Sequence, residues 1–268
     1  MSNDPIHQFH TNNTVDQPIA ELPASWGVGN LAFNDAALFM VAATGLTAAF
    51  FWLAMRPAAL VPGRAQVVAE TGYSFIHGMV RDAAGDEGVK RFFPFVFTLF
   101  LWIFAANMLG MFPYFFTPTS QIVITATMAL MVFLTVIVVG IGKNGLKFFK
   151  LFVPSGVPIY ILPFVVFIEI ISFFSRPLSH AVRLWANILA GHLVLKVFSG
   201  FVPMMTAGGQ AIMDQGNALG GLLAAGSLLP LLMTVALYAL EFLVAFLQAY
   251  VFALLTCIYL NDALHPGH

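Results

Sequence analysis

Apolar residues run in long blocks along this chain, and most of the polar residues collect between the blocks. A bilayer core is crossed by roughly 20 apolar residues in a helix, and that length picks out three ordinary spans. They are Ala36 to Met55, uncharged; Phe92 to Phe116, interrupted by Asn107; and Gln121 to Ile141, uncharged and rich in β-branched residues. Two further blocks, 157–201 and 219–260, are each about 60 Å long at 1.5 Å per residue. Helices of that length must tilt strongly, kink or break, and Pro177 predicts a kink in the first of them. Between the first two spans, Arg64, Gln66 and Glu70 mix with Val67, Val68, Tyr73, Phe75 and Ile76. That mixture predicts an amphipathic helix over about 62–80, lying in the membrane interface. Residues 1–35 are polar and lack the basic and apolar regions of a secretory signal.

Composition turns these blocks into a fold class. The chain is 60% hydrophobic and only 9% charged, whereas a soluble domain needs about 25% charged residues to cover its surface. An all-α, polytopic membrane protein is the expectation: a polar external segment over 1–35, then one membrane domain over 36–268. With 11 basic and 12 acidic residues there is no positive field for nucleic acid. The single cysteine, Cys257, lies inside an apolar block and supports neither an intrachain disulfide nor a thiolate metal site. Of seven histidines, His7, His10, His265 and His268 fall in the terminal tails, so no metal site is expected. Lysine and arginine set the topology. The connection 56–91 carries Arg56, Arg64, Arg81, Lys90 and Arg91, and 142–156 carries Lys143, Lys147 and Lys150. Both are assigned to the cytoplasmic side, which puts the N-terminus outside and, after five crossings, the C-terminus inside.

Ionisable residues within apolar spans are costly, about 2.5–3.5 kcal/mol each on insertion scales, and each is a functional hypothesis by default. Here they are concentrated in the two long helices: Glu169, Arg176, Arg183 and Lys196 in one, Glu241 in the other, with His180 and His192 besides. At ~100° per residue, Glu169, Arg176, His180, Arg183 and Asn187 share one side, with His192 on the opposite face. In the last helix Thr234, Tyr238, Glu241, Gln248, Thr256, Tyr259 and Asp262 form a second stripe, which suits a water-filled or hydrogen-bonded path. Arg176 and Lys196 lie towards helix ends, where snorkelling to the interface is expected. Arg183 has apolar residues on both sides and no such escape. Its guanidinium stays charged and cannot relay protons, but it can attract a carboxylate. Asn107 suits either a hydrogen bond between helices or a channel lining.

The run Ser-His-Ala-Val-Arg-Leu-Trp-Ala-Asn-Ile-Leu-Ala-Gly-His at 179–192 closely resembles the signature of subunit a of F-type ATP synthases. Glu241, followed seven residues later by Gln248 in Leu-Gln-Ala-Tyr-Val-Phe, agrees, as does Ala-Asn-Met-Leu-Gly-Met-Phe-Pro-Tyr at 106–114. The opening Asp-Pro-Ile-His-Gln-Phe is similar to α-proteobacterial members. The resemblance implies a non-catalytic stator in the bacterial inner membrane, against which a ring of c subunits turns. Two offset half-channels would load and unload the ring's carboxylates. It further implies partnership with b-type peripheral stalk subunits, lipid and protons, with no cofactor. By the same resemblance Arg183 is the essential arginine, Asn187 and Gln248 its polar environment, His192 and Glu241 the outer half-channel pair, and Glu169 and Asp262 the inner acids. The outer pair is exchanged relative to many bacterial members, as in mitochondrial ones. Asn107, His180, Arg176 and Tyr238 are possible polar support.

The physics fits that mechanism. A ring carboxylate facing lipid must be neutral, and one facing Arg183 loses its proton, because a nearby opposite charge favours the ionised form. No GxxxxGK[ST] phosphate loop is present, so no nucleotide site is expected. The alternatives are a secondary transporter with a charged site at the bilayer midplane and a structural anchor for a respiratory complex. The first would call for inverted repeats, which the sequence lacks; the second leaves the arginine and glutamate stripes unexplained.

Overall fold

A computed structural model describes residues 35–56, 62–112, 115–153, 160–215, 217 and 219–264. The polar segment expected over 1–35 therefore lies, but for Asp35, outside the described residues. Among the described residues every regular element is helical: α1 (Asp35–Ala54), α2 (Arg64–Gly110), α3 (Ile122–Asn144), α4 (Leu162–Met213), α5 (Leu219–Gly226) and α6 (Leu228–Leu264), with short 3-10 turns at Pro118–Ser120 and Gly145–Phe152. Five stretches are long and apolar enough to cross a bilayer, α5 and α6 counting together. α1 is apolar all round and buries only Ala36, Ala43 and Ala54, as suits a helix whose surroundings are lipid.

The helix expected over 62–80 and the span expected from Phe92 are the two helical arms of α2, joined by a reversal at Gly85. Gly85 has φ +68°, a conformation open to glycine and costly for residues with a Cβ. Its two arms fold back on each other: the rings of Tyr73 and Phe93 lie 4.7 Å apart, and those of Phe75 and Phe100 6.4 Å. Ile76 and Val80 on one arm and Val96 and Ile103 on the other are fully buried there. Burying such a side chain contributes about 1.5–3 kcal/mol against a water-exposed reference, less where the alternative is lipid.

Two more differences concern the long blocks. α4 starts at Leu162 and continues to Met213, unbroken through both Pro177 and Pro203. The last block divides: Ser227 closes α5 with its hydroxyl on the Ala224 carbonyl at 2.6 Å, and its own carbonyl opens α6. α5 folds back on the end of α4 where Gly209 meets Gly220. A Cβ on Gly209 would lie 2.6 Å from the Gly220 carbonyl oxygen, so the backbones touch, as small residues allow in membrane helix pairs.

The two ends of the bundle are tied differently. At one end Lys143 pairs with Glu87 at 2.6 Å, and the Asn144 side chain donates to the Ala263 carbonyl at 2.7 Å. The Gly85 reversal, the end of α3 and the end of α6 therefore sit together. At the opposite end the Tyr238 hydroxyl donates to the Met111 carbonyl, and the turn at Pro118–Ser120 is wholly buried.

Candidate functional site

The antiparallel register of α4 and α6 decides which ionisable side chains meet. Gly191 lies against Glu241, the His180 ring packs on Phe252 with centroids 3.8 Å apart, and Arg176 reaches Asp262. That register sets Gln248 at the height of Arg183 and Asn187, and Glu169 at the height of Asp262. Three zones follow along the helix pair.

The first is at the end where α2 and α3 connect. His192 Nδ1 lies 3.4 Å from Glu241 Oε1, with side chains 13% and 5% exposed. Neither carboxylate oxygen of Glu241 receives a hydrogen bond, so both stand open to a proton. A Cβ on residue 191 would come 2.8 Å from Oε1, so glycine lets the carboxyl lie against the α4 backbone. On the far side of the imidazole, Thr117 Oγ1 is 3.1 Å from Nε2. One helical turn past Glu241, the Asn107 amide donates to the Ala245 carbonyl at 3.2 Å, and Thr119 donates to Asn107 Oδ1 at 2.7 Å. Asn107 is thus a buried joint between α2, α6 and the 117–120 turn.

At the opposite end, Arg176 Nη1 bonds Asp262 Oδ2 at 3.0 Å, with the guanidinium 5.0 Å over the Tyr259 ring. The expected snorkelling of Arg176 is corrected: its side chain turns between the helices and is 21% exposed. An ionised partner is within reach there, which the apolar outer face of α4 cannot offer. Glu169, half-buried, lies two turns earlier on the same side of α4.

Between these zones Arg183 points outwards. It is exposed, as is Asn187 one turn on, while Gln248 is half-buried. Among the described residues no carboxylate lies within ion-pair distance of Arg183. Along the same side of α4, Ser179, Ala190, Val194 and Val197 are exposed as well. A guanidinium rising from an apolar face needs a counter-charge from outside the chain. His180, buried at 4% exposure, faces the interior instead, its Nε2 without a hydrogen-bond partner.

Along the stripe expected on α6, Thr234 and Thr256 donate to the carbonyls of Pro230 and Phe252 on their own helix, and Tyr238 is engaged with Met111. Each hydroxyl spends its proton in this way, while its oxygen can still accept. Gln248 stands between Glu241 at one end and Glu169 with Asp262 at the other.

Sequence comparison bears on this arrangement. Residues 37–261 match the family described as ATP synthase A chain. The chain is 61% identical over 246 residues to the ATP synthase subunit a of Maricaulis maris (strain MCS10), covering 89% of this chain and 91% of that one. It is 55% identical to that of Mesorhizobium japonicum, covering 99% and 98%, and 53% identical to that of Rhodopseudomonas palustris (strain HaA2), over the whole of both. The chain belongs to the ATP synthase A chain family. It is accordingly an all-α membrane protein and not an enzyme in its own right, and the transporter and anchor readings fall away.

The hydrogen bonds of the outer end bring in two residues that sequence reasoning passed over. Thr117 and Thr119 sit in Phe-Thr-Pro-Thr-Ser, which reads as a turn between two spans. The available signal was two threonine hydroxyls flanking a proline at a span end, on the same span-and-turn segment as Asn107. Nothing in the sequence tells that the turn is inserted against α4 and α6, rather than left in water.

Proposed function

We propose that this chain is the proton-conducting stator of a rotary ATP synthase membrane sector, with Arg183 separating two half-channels. The observation that carries the reading is the three-zone arrangement on α4 and α6. An exposed arginine stands midway between a buried glutamate–histidine pair at one end of the bundle and two acids at the other. A proton taken up at His192 and Glu241 passes to a carboxylate on the c-subunit ring, whose neutralised form can then face lipid. Arriving opposite Arg183, the ring carboxylate gives up its proton and is held as an ion by the guanidinium. Glu169 and Asp262 line the exit, where Glu169, outside the Arg176–Asp262 pair, supplies the negative potential that draws the released proton away. The membrane potential drives this cycle with about 2.3 kcal/mol per charge per 100 mV.

Orientation belongs to the same proposal. The end tied by Lys143–Glu87 and Asn144–Ala263 holds the Gly85 reversal and the C-terminus of α6, and it carries most of the basic residues. We take it as the cytoplasmic end, which makes the His192–Glu241 end periplasmic and the N-terminus external. Glutamine at 241 keeps the shape of glutamate but cannot titrate. In inverted vesicles containing the assembled complex, E241Q should slow proton-driven ATP synthesis sharply while the c ring still copurifies with the chain. Undiminished synthesis in E241Q would refute the outer half-channel.

A further inference from the structure

Thr117 is the N-terminal capping residue of the 3-10 turn at Pro118–Ser120, yet its hydroxyl makes no capping hydrogen bond. A threonine in that position ordinarily turns its oxygen back to the first amides of the turn. Here the turn is closed instead by the Thr117 carbonyl, which accepts from Ser120 N at 3.0 Å and Ser120 Oγ at 2.7 Å. The hydroxyl, buried at 5% exposure, is left for His192 Nε2 at 3.1 Å. Space for it is made by Gly110: a Cβ there would fall 2.0 Å from Thr117 Oγ1 and 2.5 Å from Cγ2. The turn itself is pinned by Thr119 on Asn107, which in turn holds α6 one helical turn from Glu241.

We infer that Thr117 is a positioning residue of the outer half-channel, holding the His192 ring so that Nδ1 faces Glu241 in either tautomer. The inference rests on the outer half-channel reading above. Its chemistry follows from what a hydroxyl can do, since it both donates and accepts. With Glu241 ionised, the Thr117 O–H donates to Nε2, and Nδ1–H faces the carboxylate. With Glu241 protonated, Nε2–H donates to the Thr117 oxygen, and Nδ1 accepts from the carboxyl O–H. Passing from the first state to the second takes one proton onto Nε2 from the outer side and moves one from Nδ1 to Glu241. The hydroxyl reorients and the ring stays where it is. The partner of the second ring nitrogen commonly decides tautomer and orientation in histidine sites.

The test uses the whole synthase in inverted membrane vesicles, with T117V, T117A, T117S and, in parallel, E241Q. Copurification of the c ring reports assembly, and ATP hydrolysis by the detached catalytic sector checks the remainder of the enzyme. T117V should lower proton-driven synthesis by about fivefold, the effect of one lost net hydrogen bond, with T117S restoring most of the rate. T117A, which only removes atoms, should assemble and fall as far as T117V, so the test stands if valine disturbs the turn. Synthesis in T117A within twofold of the parent, or T117S falling as far as T117A, would overturn the inference. If E241Q is slow while T117A is not, only the role of Thr117 fails; if E241Q is also unimpaired, the outer half-channel reading fails with it.

Discussion

Glu241 and Asp262 lie on one helix and belong to the same chemical class, yet the chain treats them in opposite ways. Glu241 is 5% exposed, faces a histidine, and receives no hydrogen bond on either oxygen. Asp262 is 37% exposed and tied to Arg176 at 3.0 Å, beneath a guanidinium stacked over Tyr259. A carboxylate bonded to a guanidinium has a partner with no proton to exchange; one facing an imidazole has a partner that can give or take one. The difference separates a station that must load and unload a proton from an ion pair that ties α4 to α6. It also explains why the basic partner differs. An imidazole can take a proton on one ring nitrogen and give one up from the other, and a guanidinium cannot.

Substitutions at the two ends should therefore differ in kind. The largest effect is expected for E241Q, with proton-driven synthesis down about a hundredfold, the scale on which a positioned proton-transfer group acts. Next comes R176Q, which strands Asp262 without its cation. Breaking one side of such a pair is costly, whereas removing both charges is far less so. R176Q should lower the thermal stability of the assembled complex, and R176Q with D262N should recover most of the loss. An additive double variant would mean the pair is not coupled. Smaller again is E169Q, which leaves the Arg176–Asp262 pair intact and is expected to lower the maximal rate by about twofold to threefold without uncoupling, since only a local field is lost. Full turnover of that variant at saturating proton-motive force would separate the exit from Glu169. The smallest effect is expected for N107L, which removes a joint worth about 0.6–2 kcal/mol in a membrane protein. It should show as a modest fall in melting temperature, with synthesis at low temperature little changed.

How far the sequence could be read follows the same division. Each helix was legible because twenty apolar residues have few other places to go, and Arg183 stood out because nothing near it in sequence could shield it. Facing positions on one helix were also legible, since a 3.6-residue period fixes them. Partners across helices were legible only through the family resemblance, which paired His192 with Glu241. Arg176 looked able to snorkel, because its distance from a helix end is visible in sequence and the height of Asp262 beside it is not. Gly85 falls between the helix expected to end near 80 and the span expected from Phe92, so a break was legible there, but not that the two arms fold back directly on each other. Thr117 was missed because a turn between spans is expected to face water, and this one is buried.

The central claim is that Arg183 divides two half-channels that would otherwise connect. Replacing it by alanine leaves α4 its apolar outer face and removes only the charge and its reach. In vesicles carrying the R183A complex, with assembly verified by copurified c ring, the measurement is ATP synthesis under an imposed proton-motive force, with passive proton leak followed alongside. The account predicts no coupled synthesis, together with an increased leak. Synthesis at near-normal rates in that complex would contradict it.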